Sequence, residues 1–277
     1  MSNIGQRFVT GVFFTLTLLL GIIFGKYSFT LLFLVITALG LREFYKLLKG
    51  GGYDIPINTG AVVGSLFYLI CTLYLHKMVM QMALILIVPL IFSIFIIELF
   101  RKSETPIINI AIILAGIMYF AFPMVLLSYL AYPPAGYEGF ELYHYNPNVI
   151  IGFFLLLWTS DSFAYVFGVK FGKQRLFERI SPKKSWEGSI GGAAICYLCA
   201  YLLSLYFVEL SLVQWMVVAS IIIVFGTLGD LIQSMFKRSM NVKDTGTILP
   251  GHGGILDRFD GVLLSVPFVM IYLQFLK

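Results

Sequence analysis

Residues 79–100 read VMQMALILIVPLIFSIFIIELF, and Glu98 is the only charged side chain among them. A helix that spans a membrane needs about 20 consecutive, mainly apolar residues, and this stretch meets that requirement. Similar stretches recur along the whole 277-residue chain. We therefore predict an all-α polytopic membrane protein with about nine transmembrane helices. The predicted spans are 8–25, 28–48, 58–76, 79–100, 107–131, 148–168, 188–208, 212–236 and 260–276.

The overall composition supports this class of fold. The chain is 59% hydrophobic and 12% charged, against roughly 25% charged in an average soluble domain, and its mean hydropathy is +0.92. A soluble protein of this size cannot bury so much apolar surface in one core, so soluble enzymes are excluded. The three cysteines, Cys71, Cys196 and Cys199, lie in apolar stretches and are interpreted as packing residues without disulfides.

The distribution of basic residues predicts the orientation. Lys and Arg accumulate in cytoplasmic loops, and most of those in this chain fall on the side of the N terminus. Only Lys26, Lys77 and Lys277 fall on the other side. We predict a cytoplasmic N terminus and an external C terminus. The net charge of +5 is explained by this topology or by an anionic substrate, and no nucleic-acid partner is expected.

The chain is predicted to form one integral membrane domain over 1–277. Residues 1–147 carry few charges inside the spans and are interpreted as a mainly helical scaffold. Residues 148–277 carry nearly all the polar chemistry and are interpreted as the catalytic half.

Four aspartates in that half indicate a metal site. Acidic residues inside spans cost at least ~2.5–3.5 kcal/mol each at a helix centre and usually serve function or pair with a cation. By the predicted topology Asp161, Asp230, Asp257 and Asp260 all fall near the cytoplasmic headgroup level. Carboxylate oxygens without His or Cys suit Mg²⁺. The alternative is that each aspartate caps a helix or pairs with a nearby lysine, as Asp257 next to Arg258 illustrates.

A glycine-rich loop leads into Asp257. Residues 250–254 read PGHGG, and glycines let backbone N–H groups approach phosphate oxygens. Basic residues that suit phosphate binding lie on both sides of this loop in the sequence; they are Lys237, Arg238, Lys243 and Arg258. His252 is interpreted as a phosphate-binding or structural residue rather than a general base, because phosphate needs little activation as a nucleophile.

A second basic loop precedes the seventh span. Residues 181–188 read SPKKSWEG, and Lys183, Lys184 and Ser185 are candidates to contact a phosphate. The simpler reading is a basic patch against anionic membrane lipid, and the two readings are compatible. Gly188 and Gly192 form a G-x-x-x-G pattern that predicts close helix packing.

The run from Ser234 to Asp260 contains Ser234-Met235-Phe236-Lys237-Arg238, then Lys243-Asp244-Thr245-Gly246, then the loop and the sequence Asp257-Arg258-Phe259-Asp260. This run resembles the signature of phosphatidate cytidylyltransferases. The stretches that begin at Asp161 and Ser181 resemble further blocks of that family. In the first half only Leu41-Arg42-Glu43-Phe44-Tyr45 does so.

The resemblance implies an Mg²⁺-dependent reaction with one or two metal ions, in which CTP and phosphatidic acid give CDP-diacylglycerol and pyrophosphate. It implies about nine transmembrane helices in the cell membrane, often paired as a homodimer. The metal ligands would be Asp230 and Asp257, with Asp260 close by. The remaining polar residues of the matching blocks would bind substrate; they are Asp161, Lys183, Lys184, Ser185, Ser234, Asp244, His252, Gly253 and Gly254.

Two other function classes share part of this pattern. A membrane lipid kinase would also use CTP, a metal and a lipid acceptor, but it would release CDP instead of pyrophosphate. A transporter would place intramembrane acids near the bilayer midplane, whereas the predicted topology puts these acids at one face.

Overall fold

The computed structural model describes residues 3–132, 145–246, 248, 251 and 253–275. These residues are mostly helical. A 3₁₀ turn, Gln81–Leu86, leads directly into the fourth helix, and π-helical segments Ile117–Ala121 and Ile222–Gly226 join α5 to α6 and α9 to α10. The helices are α1 Asn3–Ile23, α2 Lys26–Gly50, α3 Ile57–Leu75, α4 Ile87–Arg101, α5 Pro106–Gly116, α6 Phe122–Tyr129, α7 Asn148–Phe171, α8 Trp186–Tyr206, α9 Leu212–Ile221, α10 Thr227–Ser239 and α11 Leu256–Gln274.

Every predicted span coincides with one helix or with one continuous helical run, to within a few residues at each end. Six of these runs are long and apolar enough to cross a membrane: 57–75, 81–101, 106–129, 148–171, 186–206 and 212–239. They identify the chain as a membrane protein. Over the described residues, α1 contributes the shorter apolar stretch Val9–Ile23, and α2 and α11 do not meet the same length and hydropathy criteria.

A short hairpin departs from the all-α prediction. Strand β1, Arg175–Phe177, pairs antiparallel with β2, Ser181–Ser185, where only a loop was expected. The carboxylate of Glu187 holds the base of the hairpin, because it accepts the backbone N–H groups of Lys173 at 3.0 Å and Gln174 at 3.1 Å. The hairpin thus fixes the basic loop directly before α8.

The helices form two compact units. The first comprises Met1–Ser128 and Ser239–Phe259. Tyr45 of α2 is fully buried in it, and its hydroxyl donates to the Ile113 carbonyl at 2.8 Å. A Cβ atom at Gly60 or Gly116 would lie 2.4 or 2.5 Å from the tyrosine ring. These two glycines therefore allow α3 and α5 to pack closely against α2.

The second unit comprises Tyr129–Arg238 and Asp260–Lys277. The predicted G-x-x-x-G packing is confirmed here. A Cβ atom at Gly188 would lie 2.6 Å from the Ala164 carbonyl oxygen, and one at Gly192 would lie 2.7 Å from the Ser160 carbonyl oxygen. Helices α7 and α8 consequently approach each other backbone to backbone, as small residues permit in membranes.

Candidate active site

Three of the predicted aspartates lie in the second unit, within range of one another's charges. Asp161 lies on α7, Asp230 in the first turn of α10 and Asp260 on α11. The negative charges of Asp230 and Asp161 both act on the Asp260 carboxylate. The backbone N–H of Gly261 donates to Asp260 Oδ1 at 2.8 Å, which partly offsets that repulsion. The structure therefore holds several like charges near one another, an arrangement that is costly unless a cation compensates it.

Glycines account for the short distance between α10 and α11. A Cβ atom at Gly229 would lie 2.3 Å from the Asp260 carbonyl oxygen, so no other residue fits at this position without moving the backbone. Gly229 directly precedes Asp230. The close contact therefore brings the backbone at Asp230 next to the backbone at Asp260.

Cations from two elements reach this carboxylate cluster. Lys184 at the end of β2 forms an ion pair with Asp230, with its Nζ 2.5 Å from Oδ2. Lys237 lies about two helical turns after Asp230 on α10, and its positive charge stabilises the Asp260 carboxylate. Ser234 Oγ, one turn after Asp230, donates to Asp230 Oδ1 at 3.4 Å. The structure thus brings together five of the residues singled out from the sequence around Asp230, and this cluster has both carboxylate oxygens and ammonium groups.

The donor set of this cluster fits Mg²⁺. In the part of the chain that the structure describes, no three His, Cys, Asp or Glu side chains are close enough to form a complete metal cage. Mg²⁺ does not require such a cage, since it usually keeps several waters and binds through one or two carboxylates together with substrate phosphates. The oxygen ligands near Asp230 match that preference.

Asp257 organises the glycine-rich loop within the first unit. Its Oδ2 accepts three hydrogen bonds, from Thr245 N and Thr245 Oγ1, each at 2.9 Å, and from Gly254 N at 3.1 Å. Gly253 has φ +83°, and a Cβ atom there would lie 2.8 Å from the same oxygen. One carboxylate oxygen therefore joins Thr245 to Gly254, and glycine is needed at 253 for its backbone conformation and for space.

Glu43 of α2 is a second carboxylate against this loop, and it is not among the site residues predicted from the sequence. Its side chain is 3% exposed, and its Oε2 accepts the backbone N–H of Leu256 at 2.9 Å. A Cβ atom at Gly246 or Gly254 would lie 2.4 or 2.3 Å from its carboxylate oxygens. Its Oε1 is buried and has no hydrogen-bond partner among the described residues. The signal was present, since Glu43 is an acid inside a predicted span, where a carboxylate is costly.

The other predicted site residues differ in their exposure to solvent. Ser185 is buried and caps α8, because its Oγ accepts the N–H of Gly188 at 3.2 Å. This is a structural role, and its contact with substrate stays a prediction. The side chains of the remaining predicted substrate-binding and catalytic residues are exposed; they are Lys183, Arg238, Lys243, Asp244 and Arg258. His252 lies outside the described residues.

Comparison with known proteins identifies the family. Residues 5–276 match the model of the cytidylyltransferase family. The chain belongs to this family. It is 31% identical to the phosphatidate cytidylyltransferase of Bacillus subtilis over 99% of this chain and 98% of that protein.

Staphylococcal relatives match over a shorter stretch. The phosphatidate cytidylyltransferase of Staphylococcus haemolyticus is 48% identical over 46% of this chain and 49% of its own length. That of Staphylococcus aureus strain COL is 45% identical over 53% of this chain and 57% of its own length. The chain thus spans about half the length of these curated relatives.

Proposed function

We propose that this chain is a phosphatidate cytidylyltransferase, which converts CTP and phosphatidic acid into CDP-diacylglycerol and pyrophosphate for phospholipid biosynthesis. The observation that carries the proposal is the carboxylate cluster around Asp230, paired with Lys184, in a member of the cytidylyltransferase family. A cluster of carboxylates and ammonium groups suits the binding of a metal–triphosphate complex.

The reaction is an in-line displacement at phosphorus. An oxygen of the phosphatidate phosphate attacks the α-phosphorus of CTP, and the bond from that phosphorus to the bridging oxygen of pyrophosphate breaks. The electron pair leaves with pyrophosphate, so no external acid or base is required. Catalysis of such a step consists mainly of positioning and electrostatic stabilisation.

Basic residues bind the phosphates in this proposal. Lys237, Arg238, Lys243 and Arg258 bind the triphosphate and the departing pyrophosphate. Lys183 and Lys184 contact the lipid phosphate or the nucleotide, as do Ser185, Ser234, Asp244 and His252 of the matching blocks. The exposure of Lys183, Arg238, Lys243 and Arg258 supports this role, because their charged groups are accessible to a ligand.

The acidic residues would hold Mg²⁺. On the sequence resemblance we assign Asp230 and Asp257 as ligands, with Asp260 close by and Asp161 as a further ligand or as the group that orients a basic residue. Bound Mg²⁺, as one or two ions, would neutralise charge on the attacking and leaving oxygens. The backbone of Gly253 and Gly254, which packs against the carboxylates of Asp257 and Glu43, would approach the phosphates.

The topology proposed from the sequence completes this picture. The chain crosses the cell membrane about nine times as one integral domain, with its N terminus inside, its C terminus outside and the active site at the cytoplasmic face. Residues 1–147 serve mainly as scaffold and 148–277 as the catalytic half, and the protein functions in contact with membrane lipid as a homodimer. The six apolar helical runs support the multiple crossings.

The test uses purified protein in detergent with phosphatidate, Mg²⁺ and CTP labelled at the α-phosphate. We expect the label to enter the lipid phase, pyrophosphate to be released in equal amount, and EDTA to stop both. Label that remains in water-soluble CDP would identify a lipid kinase instead. No turnover with any lipid acceptor would contradict the proposal and favour a transporter.

A further inference from the structure

A cationic pocket lies in the first unit, at the end of α2. Its volume is about 430 Å³. Three of its cations, Arg42, Lys46 and Lys49, lie on one face of α2 because they are spaced at i, i+4 and i+7, and all three are exposed. Residues 55–59, which lead into α3, and Arg101 at the end of α4 complete the lining.

The charges of this pocket are only partly compensated. Arg101 is neutralised, since it contacts Asp54 at 2.9 Å and Glu98 at 2.8 Å and thereby holds the 51–56 loop in place. Arg42, Lys46 and Lys49 form no salt bridge within the described part of the chain. The N terminus of α3, which also faces the pocket, has no side-chain cap. Helix N-termini carry positive potential, so the pocket is built for an anion.

An apolar groove continues from this pocket between α2 and α3. Its volume is about 400 Å³, and it shares Arg42 and Asn58 with the cationic pocket. From residue 42 back to 34 on α2 it extends about 12 Å, and from residue 58 to 69 on α3 about 16 Å, at about 1.5 Å per residue. Its remaining lining is almost entirely apolar; the residues are Leu34, Ala38, Ala61, Val62, Ser65, Leu66 and Leu69.

We propose that the cationic pocket and the apolar groove together bind one anionic diacyl phospholipid. The phosphate sits among Arg42, Lys46 and Lys49, and an acyl chain lies along the groove between α2 and α3. Basic pockets between transmembrane helices are known to select anionic headgroups. A soluble nucleotide or free phosphate fits only the pocket and leaves the apolar groove unused, whereas a lipid satisfies both.

This site goes beyond the proposed reaction, because none of its lining residues is among those proposed to bind CTP, phosphatidate or metal. Glu43, which contacts the glycine-rich loop, follows Arg42 directly and so points about 100° around α2 from it. Glu43 is buried, whereas Arg42 is exposed. The loop contact and the proposed lipid site therefore occupy neighbouring parts of the α2 surface, and Lys46, whose charge also acts on Glu43, borders both.

The test measures lipid binding and not turnover. Native mass spectrometry of the full chain in detergent, without CTP, would count bound phosphatidylglycerol, an anionic lipid that is not the proposed substrate, and phosphatidylcholine with the same acyl chains. Each basic residue near a membrane surface contributes roughly a fivefold preference for anionic lipid. We expect the triple variant Arg42→Gln, Lys46→Gln, Lys49→Gln to bind phosphatidylglycerol at least about tenfold more weakly.

Two further variants separate the parts of the site. The control triple Lys26→Gln, Lys77→Gln, Lys102→Gln removes the same charge elsewhere and should bind as wild type does. Ala38→Trp fills the groove without changing charge and should also weaken binding. If the first triple does not fold, Arg42→Gln and Lys49→Gln are measured singly, each with an expected loss of about fivefold.

Three outcomes would overturn the proposal. Equal binding of phosphatidylcholine would remove the charge argument, and an equal loss in the control triple would show a general surface effect. Wild-type binding by Ala38→Trp would show that only a phosphate group is held. Because none of these measurements uses catalysis, their result is independent of whether the chain transfers cytidylyl groups.

Discussion

Replacement of Asp257 separates two roles that the structure and the sequence assign to one side chain. Its Oδ2 accepts the hydrogen bonds from Thr245 and Gly254 that organise the glycine-rich loop. Its charged carboxylate is proposed to serve as a metal ligand. Asp257→Asn keeps an acceptor oxygen but removes the charge, whereas Asp257→Ala removes both.

The three hydrogen bonds set the expected size of the stability change. A hydrogen bond to a charged group contributes about 1.5–3 kcal/mol, and three donors that share one oxygen are not additive. We expect Asp257→Ala to lower the free energy of unfolding by about 3–5 kcal/mol. Neutral acceptors form bonds about half as strong as charged ones, so Asp257→Asn should cost about 1–2 kcal/mol.

The activity change should not follow the stability change. Loss of one preorganised electrostatic group at a reacting centre costs about 10²–10³-fold in rate, so Asp257→Asn should lose at least that much turnover. Cytidylyl transfer and thermal unfolding would be measured on the same purified samples. Glu104→Gln, at an exposed carboxylate in the same unit, is the matched control and should change neither quantity.

Two results would refute this reasoning. If Asp257→Asn keeps turnover within about tenfold of wild type, the loss is much smaller than expected, and the charge of Asp257 has no catalytic role. An unchanged unfolding temperature for Asp257→Ala would show that the hydrogen bonds to Thr245 and Gly254 do not hold the loop.

Three further substitutions test neighbouring features. Glu43→Gln keeps an acceptor for the Leu256 N–H and should retain most turnover. Glu43→Ala leaves that donor unpaired and should lower the free energy of unfolding by about 2–4 kcal/mol. Equal unfolding temperatures for the two variants would contradict this. Lys184→Met removes a partly exposed ion pair worth about 0.2–1 kcal/mol, so the unfolding temperature should be nearly unchanged. It should lower kcat/KM by more than about tenfold, because Lys184 is proposed to position a phosphate or the Asp230 carboxylate. Lys170→Met, at an exposed lysine, is its control, and similar kinetics in both variants would argue against the assignment. Gly192→Ala forces a Cβ atom to 2.7 Å from the Ser160 carbonyl oxygen and should lower the free energy of unfolding by about 1–3 kcal/mol. Gly50→Ala, at a position with open space around it, is the control and should not destabilise the protein. Equal unfolding temperatures for the two variants would contradict the close packing of α7 and α8.

The helices could be predicted from the sequence because lipid imposes a simple requirement. Every backbone polar group must be satisfied internally, so a continuous apolar run of sufficient length becomes a helix. The predicted span 148–168 therefore begins with the observed helix at Asn148 and differs only at its end. The helix continues to Phe171 through Lys170, because a long basic side chain at a helix end can extend its charge to the interface.

The hairpin could not be predicted in the same way. Strands β1 and β2 are three and five residues long, too short for an alternating pattern to be recognised. Their stability depends on Glu187, which lies after the loop in the sequence and accepts N–H groups from before it. A contact of this kind leaves no recognisable pattern in the sequence of either strand.

Acids inside predicted spans can be selected from the sequence, but a contact between distant segments cannot. Asp161, Asp230 and Asp260 were selected because they are acids inside spans, and the structure places them together. Glu43 is also such an acid, but nothing near it in the sequence indicates its partner. The Leu256 N–H that it accepts lies 213 residues further along the chain.

That separation has a consequence for the biogenesis of the protein. During synthesis α2 is made early, and the acceptor oxygen of Glu43 has no Leu256 to bind until almost the whole chain has left the ribosome. The first unit is therefore completed only by the late segment Ser239–Phe259, which is made after most of the second unit. A chain that stops before residue 256 would leave a carboxylate in an apolar setting without its partner, which is costly in a bilayer. Such a chain should be recognised by membrane quality control, so that only the finished translation product accumulates.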